Sequence, residues 1–383
     1  MKKLWIMLFT IATLLTLFCS NAGFNARAES FASIEAKSAF LMDKRTGQAL
    51  YGQRENERFP IASMVKIMTA LLTLEEIEKG NLLFDEKVVI SEDSAGMGGS
   101  QMFLDQGLEY PITDLLKGVI VVSANDACVA LAERISGSEE AFVSLMNDRA
   151  KSLGMNDTIF VNATGLPKEG GCSTAHDVAL MLAELTNHPK YYDYSKIWLE
   201  EYVHPDGRIT TLTNTNKFVR FYEECDGGKT GYTSEAKFCL AACATRGDTR
   251  LISVVIGAED GKKRFSESKR LLSYGFANYK TEIIVKAGDP IFLCPISRGR
   301  KSTVIAAADS DLAILEKIGA QQDSPEVKTI YYDVKAPVSV GDVVGECTIR
   351  QGESTYSVRL IAMESVEKAT FGDAYKQIAR RWA

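Results

Sequence analysis

Histidine is scarce in this 383-residue chain, which contains only His176, His188 and His204. None of the three is spaced from another histidine, a cysteine or a carboxylate as metal ligands are, and none lies beside a plausible nucleophile. The G-x-S-x-G turn of many serine hydrolases is absent as well. These absences argue against a Ser-His-Asp triad, and we predict neither a metal nor an organic cofactor.

The chain also lacks excess positive charge, low-complexity sequence and a nucleotide-binding loop. Its 44 Lys and Arg residues are outnumbered by 50 Asp and Glu residues, and the net charge of −6 argues against nucleic-acid binding. Gly228-Lys229-Thr230 resembles the end of a phosphate loop, but Glu223 stands where such a loop requires glycine. With 46% hydrophobic residues, nine Pro and 29 Gly, the composition is that of a globular protein of one large domain or two.

Residues 1–28 have the features of a secretory signal. Lys2 and Lys3 precede an apolar run over residues 4–19, and Ala26-Arg27-Ala28 offers small residues where a signal peptidase cleaves. Because this run is shorter than the roughly 20 residues that span a bilayer, cleavage before Glu29 is favoured over an uncleaved anchor. We therefore predict an exported protein.

Seven cysteines follow the signal segment, which is an odd number, and they are scattered rather than densely spaced. That distribution is not typical of a disulfide scaffold. Cys239 and Cys243 lie four residues apart inside an apolar run, without a second Cys or His pair. We interpret them as small buried side chains rather than half of a metal site.

Hydrophobic periodicity predicts two domains after the signal. Residues 29–281 combine a hairpin around residues 39–51, a long helix from Met64 to Gly80, further helices, and antiparallel core strands at residues 238–244 and 251–257. Short alternating stretches separated by Gly, Asp and Pro turns predict a small all-β domain over residues 282–370.

A short amphipathic helix is predicted at residues 371–383. Phe371, Tyr375, Ile378 and Trp382 fall on one face, with basic residues outside it. Such a helix suits a membrane surface. The alternative is a terminal helix that docks on its own domain.

Ser63-Met64-Val65-Lys66 is the candidate catalytic pair. A serine three residues before a lysine lies on the same helical face, and a helix N-terminus favours a developing oxyanion. The pattern S-x-x-K occurs four times, but only Ser63 opens a long apolar helix that would bury its lysine. A buried lysine loses affinity for its proton and can serve as a base.

Two further triplets follow in order. Ser123-Ala124-Asn125 interrupts an apolar helical stretch, and Lys229-Thr230-Gly231 comes just before the apolar strand at residues 238–244. Each triplet occurs once. Taken singly they are typical of a cap and an exposed turn, but in this order after Ser63 and Lys66 they indicate one serine-lysine active site.

This motif set resembles the penicillin-binding and serine β-lactamase superfamily. The sequence around Ser123, the β-rich extension and the amphipathic tail are similar to low-molecular-weight D-alanyl-D-alanine carboxypeptidases, over nearly the whole mature chain. The resemblance implies a transpeptidase-like α/β domain, with an antiparallel sheet flanked by helices, followed by the all-β domain. It implies an exported enzyme on the outer face of the cytoplasmic membrane, with β-lactams as inhibitors.

By the same resemblance, Ser63 would attack the peptide bond between the last two D-alanines of a peptidoglycan stem peptide. Lys66 would take its proton, and Ser123 would relay a proton to the leaving D-alanine. Asn125 would hold the substrate amide and orient Lys66. The acyl-enzyme on Ser63 would then be hydrolysed by water.

The same resemblance makes Lys229, Thr230, Gly231 and Tyr232 substrate-binding. Lys229 would bias Lys66 electrostatically and attract the terminal carboxylate, Thr230 would hydrogen-bond it, and the N–H groups of Ser63 and Tyr232 would form the oxyanion hole. Tyr232 stands where well-known relatives carry histidine, and Ala124 where many have glycine. These two departures bear on substrate preference and rate rather than on reaction class.

Three alternatives remain. A D,D-endopeptidase acting on cross-links would use the same motifs. A class A β-lactamase would need a carboxylate in an E-x-x-L-N setting, whereas residues 162–173 offer only Glu169. A non-catalytic penicillin sensor would need a transmembrane signalling segment.

Overall fold

The computed structural model describes residues 31, 33–320, 324–352 and 354–373. The predicted signal segment, residues 1–28, lies outside the described residues, as do residues 374–383 of the predicted tail helix. Within the described part of the chain, no helix is both long and apolar enough to cross a bilayer.

The N-terminal domain is an antiparallel sheet flanked by helices, as predicted. Its strands are β1 (Ser38–Asp43), β2 (Ala49–Gln53), β3 (Lys87–Val89), β4 (Glu109–Pro111), β5 (Leu199–Val203), β6 (Ile209–Thr213), β7 (Cys225–Thr233), β8 (Lys237–Arg246) and β9 (Thr249–Ala258). Its helices are α1 (Lys66–Glu78), α2 (Glu92–Ala95), α3 (Ile112–Val121), α4 (Asn125–Ser136), α5 (Glu139–Ser152), α6 (Ala175–Leu185), α7 (Tyr191–Ser195), α8 (Phe218–Phe221) and α9 (Gly261–Asn278), and a 3-10 turn spans Ala62–Val65. The main sheet has the order β2-β1-β9-β8-β7, so β7 is an edge strand.

Helix α1 lies in the interior of this domain and is buried from Lys66 to Leu74. It packs against α3, α4 and α6. Each fully buried Leu or Met contributes about 1.5–3 kcal/mol through the hydrophobic effect. Gly80, with φ of 77°, follows the helix end as the sequence predicted. Because α1 is surrounded, Lys66 at its start is only 1% exposed.

The predicted strand pairs are confirmed. β1 and β2 form the N-terminal hairpin, with Ala39 opposite Gln53, and β8 pairs with β9 at the centre of the sheet. Both apolar runs are buried because helices cover them.

The seven described cysteines are all unpaired. Cys239 and Cys243 are fully buried in β8, which confirms their interpretation as small core side chains. Burial raises the pKa of Cys239 to about 11. Cys172 is partly exposed, and the other six are buried.

The C-terminal domain is all β, as predicted. Its strands are β10 (Tyr279–Val285), β11 (Pro290–Ser297), β12 (Thr303–Ala308), β13 (Leu312–Lys317), β14 (Glu326–Tyr331), β15 (Val334–Lys335), β16 (Val343–Gln351) and β17 (Ser354–Ala362). The larger sheet has the order β14-β16-β17-β12-β11-β15, and β10 pairs with β13. Its own apolar core includes Cys294, Val304, Ile349 and Leu360.

A buried polar contact joins the two domains. Thr281 Oγ1 donates a 2.7 Å hydrogen bond to Asp43 Oδ2, and Thr281 N donates a 2.8 Å bond to Thr249 Oγ1. Arg45 forms an ion pair with Asp311 across the same junction. The predicted boundary between residues 281 and 282 falls inside β10, at this contact.

Candidate active site

Ser63 and Lys66 meet where the 3-10 turn passes into α1. Lys66 Nζ lies 3.1 Å from Ser63 Oγ and donates a 2.6 Å hydrogen bond to the Thr164 carbonyl oxygen. The sequence predicted Ser63 near the start of the α-helix, and it lies instead in the tighter turn just before it. The carbonyl of Thr164 fixes the amine within reach of the serine hydroxyl.

Burial lowers the pKa of Lys66 to about 8. The Asp126 carboxylate opposes this shift, but the loss of hydration is the larger effect. About one Lys66 in ten is therefore neutral at pH 7, which satisfies the requirement for a general base.

Lys229 forms a second buried amine close to the first. It is 4% exposed and lines a small internal cavity together with Lys66. Burial lowers the pKa of Lys229 well below its usual value, and the Lys66 ammonium and the Arg264 guanidinium lower it further. Two buried ammonium groups this close disfavour each other, so the pair loses its first proton more readily than either lysine would alone.

The triplet Lys229-Thr230-Gly231 lies within edge strand β7 rather than in a turn before the next strand. A Cβ on Gly231 would lie 2.6 Å from the Ile61 carbonyl oxygen and 3.3 Å from Ser63 N. Only glycine allows this approach, which holds the strand against the turn that carries Ser63.

Ser123 and Asn125 lie at the start of α4, both 3% exposed. Ser123 has φ of 65°, an uncommon value for serine. Ser123 Oγ and Asn125 Oδ1 are buried and have no hydrogen-bond partner within the described residues. Because a buried polar atom rarely stays unpaired, these two atoms are candidates to bind a ligand.

Asn125 also fixes the loop at residues 96–106. Its Nδ2 donates a 2.6 Å hydrogen bond to the Gly98 carbonyl, and its backbone N–H donates a 2.7 Å bond to Ser100. The next residue, Asp126, accepts bonds from the N–H groups of Met102 and Leu104. The start of α4 therefore shapes one wall of the site.

The loop at residues 162–166 was missed by the sequence analysis. Asn162 Oδ1 accepts a 2.7 Å bond from Gly165 N, and Asn162 Nδ2 donates to the Leu166 carbonyl. Gly165 has φ of 77°, and a Cβ there would overlap the Ala62 carbonyl oxygen and come within 3.0 Å of Ser63 N. The signal in the sequence was a glycine directly after a turn-forming Asn-Ala-Thr.

Arg264 was also missed. It projects from α9, its Nη1 donates a 3.2 Å hydrogen bond to the Gly231 carbonyl, and its Nε has no partner within the described residues. It follows Lys262 and Lys263 in the sequence, and nothing local distinguishes it from these charged neighbours. With Lys66 and Lys229 it gives the site three basic side chains.

The structure thus brings three of the predicted segments to one place. Gly165 and Gly231 both touch the backbone at Ser63, and a Cβ on Gly99 would lie 2.9 Å from Asn125 Nδ2 and 3.9 Å from Leu166. Within the described residues, no hydrogen bond joins Asn125 to Lys66. Tyr232 is 56% exposed and packs on Phe238, with ring centroids 4.4 Å apart.

Comparison with known proteins agrees with this geometry. A family model described as D-alanyl-D-alanine carboxypeptidase matches residues 25–260, and one described as penicillin-binding protein 5, C-terminal domain, matches residues 279–368. DacF of Bacillus subtilis is 38% identical over 351 residues, covering 91% of this chain and 90% of the relative. DacC of Escherichia coli is 34% identical, covering 88% and 86%.

Solved structures give the same result. Penicillin-binding protein 5 of Haemophilus influenzae is 32% identical, with a TM-score of 0.71, and the match covers 88% of this chain and 99% of that structure. The chain therefore belongs to the D-alanyl-D-alanine carboxypeptidase family of serine peptidases, with the C-terminal β domain of penicillin-binding protein 5.

Proposed function

We propose that this protein is a serine-type D-alanyl-D-alanine carboxypeptidase that removes the terminal D-alanine of peptidoglycan stem pentapeptides. The observation that carries the proposal is Ser63 Oγ at 3.1 Å from the buried Lys66 amine, whose pKa is lowered to about 8. Family membership supplies the reaction class.

Acylation begins when neutral Lys66 takes the Ser63 hydroxyl proton as Oγ attacks the carbonyl carbon of the scissile bond. The tetrahedral oxyanion accepts hydrogen bonds from the N–H groups of Ser63 and Tyr232. The C–N bond then breaks, the leaving amine receives a proton through Ser123, and an ester on Ser63 remains. Gly231 approaches Ser63 closely enough that a Cβ on it would lie 3.3 Å from Ser63 N, which supports this placement of the oxyanion hole.

The terminal carboxylate of the substrate adds a negative charge beside the basic side chains of the site. Lys229, Thr230 and Arg264 receive the terminal carboxylate, which stabilises the charged form of Lys229. A charged Lys229 in turn disfavours a proton on Lys66, so substrate binding promotes the neutral base. Asn125 Oδ1, which is buried without a partner, accepts the N–H of the peptide.

Water then hydrolyses the acyl-enzyme, with Lys66 as base. Penicillins acylate Ser63 and leave slowly, and Glu169, the one acid of residues 162–173, is exposed on its loop. A class A β-lactamase is therefore not favoured. The D,D-endopeptidase and the non-catalytic sensor are not favoured either, since DacF and DacC are both named D-alanyl-D-alanine carboxypeptidases.

We further propose that residues 1–28 direct export, that residues 29–281 form the catalytic domain, and that residues 282–370 form a separate β domain. The segment 371–383 holds the protein at the outer face of the cytoplasmic membrane through its apolar face. Release of the protein from membranes after deletion of residues 374–383, with unchanged activity on soluble pentapeptide, tests this location.

A fluorescent penicillin and a D-alanine release assay test the activity. The wild-type chain should be labelled on Ser63 and release one D-alanine per pentapeptide, and Ser63→Ala should do neither. Ser365→Ala is the matched control, because Ser365 begins another S-x-x-K sequence on the exposed surface of the β domain. Labelling that survives Ser63→Ala would refute the assignment.

A further inference from the structure

A groove of about 780 Å³ lies between α8 and the first turns of α9. Aromatic rings form its floor. Phe218 stacks on Tyr222 with ring centroids 5.3 Å apart and meets Phe265 at 5.1 Å. Phe221 stands at the rim and is 69% exposed. An exposed phenylalanine beside other aromatic rings provides a surface on which the flat apolar face of a ligand can pack.

The rim of the groove is cationic although the whole chain has a net charge of −6. Lys217, Lys262 and Lys269 line it and are exposed. Asp260 is the one acid among the lining residues, and its carboxylate accepts hydrogen bonds from the N–H groups at the start of α9. The groove therefore favours an anionic ligand.

Arg264 connects this groove to the strand that carries Lys229. Its guanidinium lies 5.0 Å from the ring of Phe265, which lines the groove, and 5.5 Å from that of Phe238. The same guanidinium donates a hydrogen bond to the Gly231 carbonyl. One side chain thus lines the aromatic groove and also contacts the strand of the candidate active site.

We propose that the groove binds a neighbouring stretch of the same peptidoglycan strand whose stem peptide is being trimmed at Ser63. Sugar faces lie against the exposed ring of Phe221, and the carboxylates of an adjacent stem peptide meet the lysines of the rim. This inference rests on the proposed carboxypeptidase function, because only a polymeric substrate presents such a neighbour. A strand held here keeps further stem peptides near Ser63 at millimolar effective concentration.

The concave floor argues for a strand rather than a bilayer. Phe218 and Tyr222 lie at the base of the groove and are only 6% and 8% exposed, so a flat membrane surface would meet the rim, where Phe221 stands, and not the base. Arg264 lines the groove and contacts the Gly231 carbonyl, which places the groove next to the strand that carries Lys229.

A groove variant, Phe221→Ser with Lys217→Glu and Lys269→Glu, tests the proposal by kinetics. The substrates are uncross-linked glycan strands with pentapeptide stems, and the free pentapeptide. The variant should raise KM for strands about tenfold, with kcat and the KM for free pentapeptide unchanged. A matched control on the β domain, Tyr331→Ser with Lys328→Glu and Lys335→Glu, removes an exposed aromatic and two lysines and should change neither. An unchanged KM for strands, or an equal loss on both substrates, would overturn the proposal.

A binding measurement tests this inference independently of the proposed catalytic activity. The full chain carrying Ser63→Ala should sediment with purified peptidoglycan, and adding the groove changes should weaken its retention about tenfold. If the wild-type chain hydrolyses neither substrate, the carboxypeptidase proposal fails, and this measurement still decides the groove. Vesicles of anionic phospholipid are the competing probe. Loss of vesicle binding with peptidoglycan binding unchanged would overturn the strand as occupant.

Discussion

Replacing Lys66 by methionine should make the protein more stable while abolishing activity. The pKa of Lys66 falls from its usual 10.5 to about 8 because burial disfavours the ammonium. At pH 7 this shift corresponds to a cost of about 3 kcal/mol to the folded state. Methionine has a similar length and shape without the charge, so Lys66→Met removes that cost.

Part of the gain is offset. The Thr164 carbonyl loses the 2.6 Å hydrogen bond from Lys66, and a buried unpaired carbonyl costs about 1–3 kcal/mol. The net stabilisation at pH 7 is then between about 0 and 2 kcal/mol, or a rise in Tm of up to about 6 °C. Differential scanning calorimetry measures it, with exposed Lys328→Met as a control that should leave the Tm unchanged.

The pH dependence gives a sharper check. Between about pH 8 and pH 10.5 the unfolded chain holds a proton on Lys66 that the folded chain has released, so wild-type stability rises with pH in this window. The advantage of Lys66→Met should be constant below about pH 8 and shrink by about 1.4 kcal/mol per pH unit above it. A variant that is less stable than wild type at pH 7, or a difference independent of pH, would refute the reasoning.

Three further predictions concern the same site. Acylation by penicillin should become about tenfold faster from pH 6 to pH 7 and level off near pH 8, since neutral Lys66 is the base; a flat stopped-flow profile would contradict this. Gly165→Ala should abolish penicillin labelling because its Cβ overlaps the Ala62 carbonyl, whereas Gly170→Ala, with φ of 86° but its nearest neighbour 4.0 Å away, should retain it. Lys229→Met should raise KM for pentapeptide by about 10–100-fold, with little effect on a substrate whose terminal carboxylate is amidated; an equal effect on both would exclude the carboxylate as its partner.

Local patterns predicted the elements and the burial of Lys66. Apolar residues at helical spacing from Met64 to Ile77 indicated a long helix central to the domain, and such a helix must desolvate a lysine at its start. The strand that carries Lys229 was harder to predict, because it also contains Gly227 and Gly228, just before Lys229, and glycine is depleted in strands. Here Gly228, with φ of 126°, lets β7 approach Ala241 closely, so tertiary packing overrides the local preference.

The partners of the catalytic pair were not predictable in the same way. Thr164 acts through its backbone carbonyl, about a hundred residues from Lys66, and no side-chain pattern marks a carbonyl. Arg264 sits in a helix whose first turns are rich in charged residues, where one arginine looks like its neighbours. Contacts between distant segments carry no periodic signal, so the sequence indicated the nucleophile and base but not the groups that hold them.

Because six of the seven described thiols are buried, their reactivity depends mainly on whether the chain has already folded. Once the chain has folded, an oxidant or alkylating agent reaches only Cys172 with ease among the seven described cysteines, because the other six are buried. Before folding, all of them are open to cross-linking. The interval between synthesis and the burial of β8 is therefore the period in which such a chain is vulnerable, and thiol reactivity afterwards reports how often the native structure opens.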